Sequence, residues 1–126
     1  MTNIKIKRVY LAPEPLPGDG YRIFIDRLWP RGESKQEFHY DLWDKDVAPS
    51  VGLREWFHAD PLNRWDAFAK KYIEELEALP AARDLARIVS RHDTVTLLYG
   101  SRDTLHNNAI VLRDFLDKIV NGKETK

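Results

Sequence analysis

The sequence contains no cysteine. That single absence excludes disulfides, thiolate nucleophiles, zinc–thiolate sites and iron–sulfur clusters. There is no charge of one sign either: 20 basic side chains cancel 20 acidic ones. No global field steers the chain toward nucleic acid or an anionic membrane, so any basic site has to be local. No apolar run approaches the ~18 residues of a membrane span. The opening MTNIKIKR lacks a signal-peptide pattern, so the expected compartment is the cytoplasm. Also missing are a Gly-x-Gly-x-x-Gly fingerprint, a Walker-type Gly-Lys-Ser/Thr and a Gly-x-Ser-x-Gly elbow. Gly18-Asp19-Gly20 precedes a strand pattern rather than a helix.

What is present fits one domain over residues 1–126, with 43% hydrophobic residues to build a core. Residues 4–11 alternate Ile4 and Ile6 against Lys5 and Lys7, the period of a half-buried strand. The proline- and glycine-rich segment 12–20 reads as a loop, and residues 21–25 as a second strand. Residues 38–49 are mixed and stop at Ala48-Pro49. Ser50 is placed to cap a short helix carrying Leu53, Trp56 and Phe57. Asp60-Pro61 signals the start of a long helix, with Trp65, Phe68, Ala69, Tyr72, Ile73, Leu76 and Leu79 at helical spacing. A further helix is expected over 81–91, a buried strand over 94–99, and a last helix over about 105–120 with Leu105, Ala109, Leu112, Leu116 and Ile119 on one face. The terminal NGKETK is expected to fray. The helical stretch between the second and third strands is long enough to make them parallel neighbours. The expected class is therefore α/β, a small layered domain with a short, mostly parallel sheet flanked by helices. An α+β arrangement is the alternative.

Ligands of open parallel sheets bind outside the carboxyl ends of the strands. Two such ends are polar here: Asp26-Arg27-Leu28-Trp29-Pro30-Arg31-Gly32 and Gly100-Ser101-Arg102-Asp103. If their strands are neighbours, Asp26, Arg27, Arg31, Ser101, Arg102 and Asp103 converge on one crevice beside the opening of the last helix, where free N–H groups favour an anion. Arg27, Arg31, Ser101, Arg102 and Asn107 are the candidate ligand-binding residues. Asp26 and His106 are the candidates for moving a proton. In the competing structural reading, Asp26 and Arg27 only pair with the helical region and tie loops down. His39, His58, His92 and His106 include no pair at helical metal-ligand spacing, so no metal is expected. Trp56 and Trp65 fit apolar helix faces; Trp29 and Trp43 lie in irregular chain, where aromatics beside arginines could stack bases. Dispersed charge argues against an extended nucleic-acid track.

These segments together resemble a known family. Lys5 through Tyr10, Gly20 through Gly32, Trp43 with Ala48-Pro49-Ser50, Leu53 through Phe57, and Thr96 through Tyr99 with Asp103 and Asn107 resemble the YeaO-like branch of family 488 of the domains of unknown function. The resemblance spans nearly the whole chain and rests most specifically on the Asp-Arg-Leu-Trp-Pro-Arg-Gly run. It implies a small bacterial α/β protein and no established activity, substrate or cofactor. Where the family often reads Asn-His-Ala after His106, this chain reads Asn107-Asn108-Ala109. Where the broader family often carries a cysteine near that helix start, this chain has none. The functional expectation is an arginine-lined pocket for a phosphorylated or carboxylated small molecule, in an enzyme or in a binding protein, monomeric or homodimeric. The alternative is a non-catalytic interaction or nucleic-acid-associated module.

Overall fold

The computed structural model describes residues 1–122. Strands β1 (Asn3–Arg8), β2 (Tyr21–Phe24), β3 (Leu42–Trp43) and β4 (Thr94–Tyr99) form one sheet in the order β1-β4-β2-β3. Every pairing in it is parallel. Helices α1 (Val51–Ala59), α2 (Pro61–Ala78) and α3 (Pro80–Ser90) lie between β3 and β4, and α4 (Asn108–Asn121) follows β4. The expected neighbours are neighbours: Tyr21 lies opposite Val95 and Phe24 opposite Leu98. β4, all but its first residue buried, occupies the centre of the sheet, which explains its unbroken apolar sequence. The helical crossover starts one strand later than expected, because β3 intervenes. Two residues long, β3 is too short to leave a periodic signal.

The helices cover only one face of the sheet. Ile4, Ile23, Ile25, Val95, Leu97 and Tyr99 meet the apolar sides of all four helices in the main core. Phe68, Tyr72 and Leu76 line the buried side of α2, as their spacing requires, whereas Ile73 turns away and is 37% exposed. The Tyr72 hydroxyl, inside this core, donates to the Val47 carbonyl. Pro80 does more than end α2; it is the first residue of α3 after the single linker Leu79. Asp60 precedes Pro61 as expected, but its carboxylate binds the Asn63 amide rather than capping the backbone.

Irregular chain closes the opposite face. Val9, Phe24, Phe38 and Leu98 form a second core with Tyr10, Trp29 and Trp43 packed against it. Trp29 and Trp43 cross at 5.6 Å, and their indole N–H groups donate to the carbonyls of Glu33 (2.6 Å) and Asp26 (2.7 Å). Both tryptophans are thus packing residues of this face. Beside them the face turns polar. Arg22, 1% exposed, donates to Asp19 (2.6 Å), to the Ala12 carbonyl (2.8 Å) and to the His39 carbonyl (2.9 and 3.0 Å). Asp19, itself fully buried, also takes the Lys7 ammonium, and its backbone carbonyl accepts from Thr96 at 2.8 Å. Gly20 brings this loop against β4 at φ 64°; a Cβ there would lie 2.1 Å from the Thr94 carbonyl oxygen.

The chain end is tied down as far as it is described. Asn121 hydrogen-bonds both the N–H and the C=O of Thr2, at 2.9 and 2.8 Å, and Gly122 closes α4 at φ 69°. The fraying expected over residues 121–126 does not reach Asn121 and Gly122, and its remaining part, residues 123–126, lies outside the described residues.

Two stability measurements check this architecture. Phe68→Ala is expected to cost about 3–5 kcal/mol in urea unfolding; a loss below about 1 kcal/mol would contradict its place in the core. Asp19→Asn leaves Arg22 and Lys7 without their countercharge and is expected to cost about 3–5 kcal/mol near neutral pH. Burial alone would raise the Asp19 pKa, but hydrogen bonds from Lys7, the Leu16 N–H and Arg22 outweigh it and hold the carboxyl below its ordinary value. Its contribution is therefore present above the unfolded value of about 3.9 and is lost as pH falls through the folded one. The gap between wild type and Asp19→Asn should close in acid, and a gap that widened there would contradict the pairing.

Candidate functional site

A cavity of about 570 Å³ opens at the carboxyl ends of the strands, within the ~300–1,000 Å³ typical of small-molecule sites. Tyr10 enters it from the turn after β1, Asp26 to Arg31 from the loop after β2, Ala48 and Pro49 from the segment after β3, and Gly100 and Ser101 from the end of β4. α1 adds Arg54 and His58, and the start of α4 adds Asn107 and Asn108. The two polar strand ends converge because β2 and β4 are paired in register, with the ladder continued by the Ile25 N–H to the Leu98 carbonyl at 3.1 Å.

Asp26 joins three of these elements. Its Oδ2 accepts from the Gly100 N–H at 2.8 Å and its Oδ1 from the Asn108 amide at 3.1 Å, so the carboxylate clamps the end of β4 and the start of α4 to the end of β2. A Cβ on Gly100 would lie 3.1 Å from Oδ2, tighter than ordinary contact, so glycine there permits the short bond. Burial raises the Asp26 pKa, and the bonds from Asn108 and Gly100 and the charges of Arg54 and His58 offset this only in part. Arg27 does not pair with Asp26. Its Nη2 donates to the Pro49 carbonyl at 3.1 Å, and its buried Nε has no partner among the described residues. Arg31 is exposed at the cavity wall, its backbone carbonyl held by the Tyr10 hydroxyl at 2.9 Å.

Of the residues singled out in the sequence, Asp26, Arg27, Arg31, Ser101 and Asn107 line the cavity, whereas Arg102, Asp103 and His106 do not. Arg102 is exposed on the loop after β4. His106 is not in the first turn of the last helix, which begins at Asn108. The Asp103 carboxylate accepts the N–H groups of Leu105 (2.9 Å) and His106 (3.0 Å), a local turn that keeps this stretch out of the helix and leaves Leu105 72% exposed. Hydrogen bonds from the Leu105 N–H first, then from His106, keep the Asp103 carboxyl below its ordinary pKa. The imidazole Nδ1 sits 3.0 Å from Asp103, and the ring meets Trp65 edge-on at 5.3 Å. Asn107 is the helix cap itself: it accepts from the Ile110 N–H at 3.1 Å and is 2% exposed.

The histidine at the cavity is His58, with its pKa pushed down by burial and by Arg54 against a smaller upward pull from Asp26. Arg54 and His58 were not among the sequence candidates. They lie in a helix recognised by its apolar side, and the signal that could have found them is their i, i+4 spacing on the face away from Leu53. Asn108, one of the two departures from the resembled pattern, is the side chain that meets Asp26. Among the described residues no group of three or more His, Asp or Glu side chains is placed to hold a metal ion, and no helix is long and apolar enough to cross a membrane.

Comparison with known proteins agrees with this chain-wide pattern. The family described as the inactive DUF488-N3 subclade matches residues 3–126. The uncharacterized protein YeaO of Escherichia coli is 40% identical over 114 residues, covering 90% of this chain and 96% of that protein. The uncharacterized proteins Mb3100c of Mycobacterium bovis and Rv3073c of Mycobacterium tuberculosis are each 39% identical over 116 residues, covering 92% of this chain and 95% of theirs. No solved structure gives a significant match.

The raised pKa of Asp26 has a measurable sign. The folded state holds this proton more tightly than the unfolded state, so wild-type stability falls as pH rises from about 3.9 through the folded value. Asp26→Asn removes that slope. Urea midpoints measured from pH 4 to 7 should therefore shift in favour of Asp26→Asn as pH rises. A shift in favour of wild type would show that the carboxylate is stabilised, not strained, by its site.

Proposed function

We propose, from the premise that the chain belongs to the DUF488 family in its inactive DUF488-N3 subclade, that the cavity binds a small phosphorylated or carboxylated molecule without transforming it. The observation that carries this reading is the convergence of Arg27, Arg31 and Arg54, against two carboxylates, Asp26 and Glu55, on one cavity of a protein with no net charge. A local cationic cluster in a neutral chain is a feature of the site, not of the whole surface. Guanidinium groups match carboxylate and phosphate oxygens in planar, two-pronged geometry. Arg27 also has a buried Nε–H with no partner among the described residues, a donor that an anion can satisfy.

Binding without turnover follows the description of the matching family as an inactive subclade. Asp26 and His58 are titratable groups that a ligand would meet in the cavity, and in the binding reading they hold it by hydrogen bonds. A concave site with two packed tryptophans beside it also fits a small ligand better than a flat macromolecular surface.

The test is thermal unfolding of the chain with inorganic phosphate and a panel of phosphorylated and carboxylated metabolites. A ligand at a hundredfold excess over its Kd adds about 2.7 kcal/mol of stability. Arg31→Ala and Arg27→Lys are expected to abolish or weaken that shift, while Arg31→Ala, an exposed change, moves the unliganded stability by less than about 1 kcal/mol. If no anion moves the melting temperature and Arg27→Lys unfolds the protein, the arginines serve the fold alone and the reading is wrong.

A further inference from the structure

We propose that the ligand of this cavity is bifunctional, carrying an N–H group that donates to Asp26 as well as the anionic group held by the arginines, with an apolar body between them. The inference rests on the binding role given above and concerns what that role selects.

Three observations point the same way. The first is the valence of Asp26. A carboxylate has room for about four hydrogen bonds, and the protein supplies one to each oxygen, from Gly100 and Asn108. No arginine takes the remaining positions, since Arg27 is turned to the Pro49 carbonyl. Asp26 therefore reaches the cavity wall with acceptor capacity left over.

The second is charge. A site for a plain anion gains nothing from a carboxylate among its arginines, because like charges repel and a half-buried carboxylate is costly without partners. The same carboxylate is an asset when the ligand presents an N–H of its own, from an amine or from a heterocycle edge. The third is the apolar lining. Leu28 and Val51 are 66% and 52% exposed, and they stand with Trp29 and Pro30 around the same cavity. An inorganic ion makes no use of such a wall, while a ring or aliphatic body covers it.

The experiment compares matched probes on the full chain by titration calorimetry. Phenylalanine is set against 3-phenylpropanoate, which lacks the amine. Adenosine 5′-monophosphate is set against purine riboside 5′-monophosphate, which keeps the ring but lacks the exocyclic amine. Inorganic phosphate is the bare-anion control. In at least one pair the N–H-bearing member is expected to bind tenfold or more tightly than its partner, the size of a charge-assisted hydrogen bond. The pair that shows the preference tells an amine from a heterocycle edge. Asp26→Asn is expected to erase the preference, and the affinity of the weaker, purely anionic member is expected to hold or rise as the like charge is removed. The wild-type comparison stands alone if that variant fails to fold. Phosphate binding with no preference in either pair, or a preference that survives in Asp26→Asn, overturns this inference and leaves the anion site standing. If no probe binds, phosphate included, the anion site falls and this inference with it.

Discussion

A buried arginine holds together the side of this molecule that no helix covers. All four α-helices pack on one face of the parallel sheet, so the other face is closed by loops and the short 3-10 turn Val9–Leu11. Loops cannot cover a sheet by apolar contact alone, because their backbone groups need partners once water is gone. Arg22 supplies these partners. Lying in β2 with 1% exposure, it reaches the carbonyls of Ala12 and His39 in two different loops and the carboxylate of Asp19. Asp19 in turn gathers Lys7 of β1 and, through its carbonyl, Thr96 of β4. The polar half of the face is thus a network with its members paired, and the aromatic half, built on Phe24, Phe38 and Leu98, packs beside it.

The candidate site depends on this closure. Tyr10, Arg27 and Arg31 stand on the segments that follow β1 and β2, the two strands that carry Lys7 and Arg22, while Asn107 and Asn108 come from the helix on the opposite face. The cavity is the gap left where the two coverings meet at the strand ends. Asp19 and Asp26 show what distinguishes a carboxylate used for folding from one left available. Asp19 has cations on both sides and is held below its ordinary pKa. Asp26 has neutral donors as its hydrogen-bond partners, and burial leaves it above.

Much of this was legible in the sequence. Alternation in β1, the apolar run of β4 and the spacing of Phe68, Tyr72 and Leu76 each carry a period, and a period survives without tertiary information. The parallel pairing of β2 and β4 followed from the length of chain between them, and it brought Asp26, Arg27, Arg31 and Ser101 to one place. The resemblance to family 488 now stands as membership. What was missed is set by contacts remote in sequence or by local chemistry that mimics a helix. The Asp103 turn captures two N–H groups and delays α4 to Asn108, which takes His106 away from the cavity. Apolar periodicity from Leu105 onward gives no hint of it. One-sided helix packing was also hidden, because the pairing of Arg22 with two loops leaves no pattern in either. The packing of Trp29 on Phe38 and of Trp43 on Phe24 joins segments remote in sequence and so leaves no periodic signal.

The central claim is that the cations of this cavity form one anion site while the remaining arginines are surface or scaffold. The most direct test is a two-dimensional NMR titration that follows arginine Nε–H and backbone amide signals as inorganic phosphate is added. The account predicts saturable shifts confined to Arg27, Arg31 and Arg54 and to the amides of Gly100 and Asn108, with Arg22 unmoved. Shifts spread evenly over exposed Arg83, Arg87, Arg91 and Arg102 without saturation would contradict it.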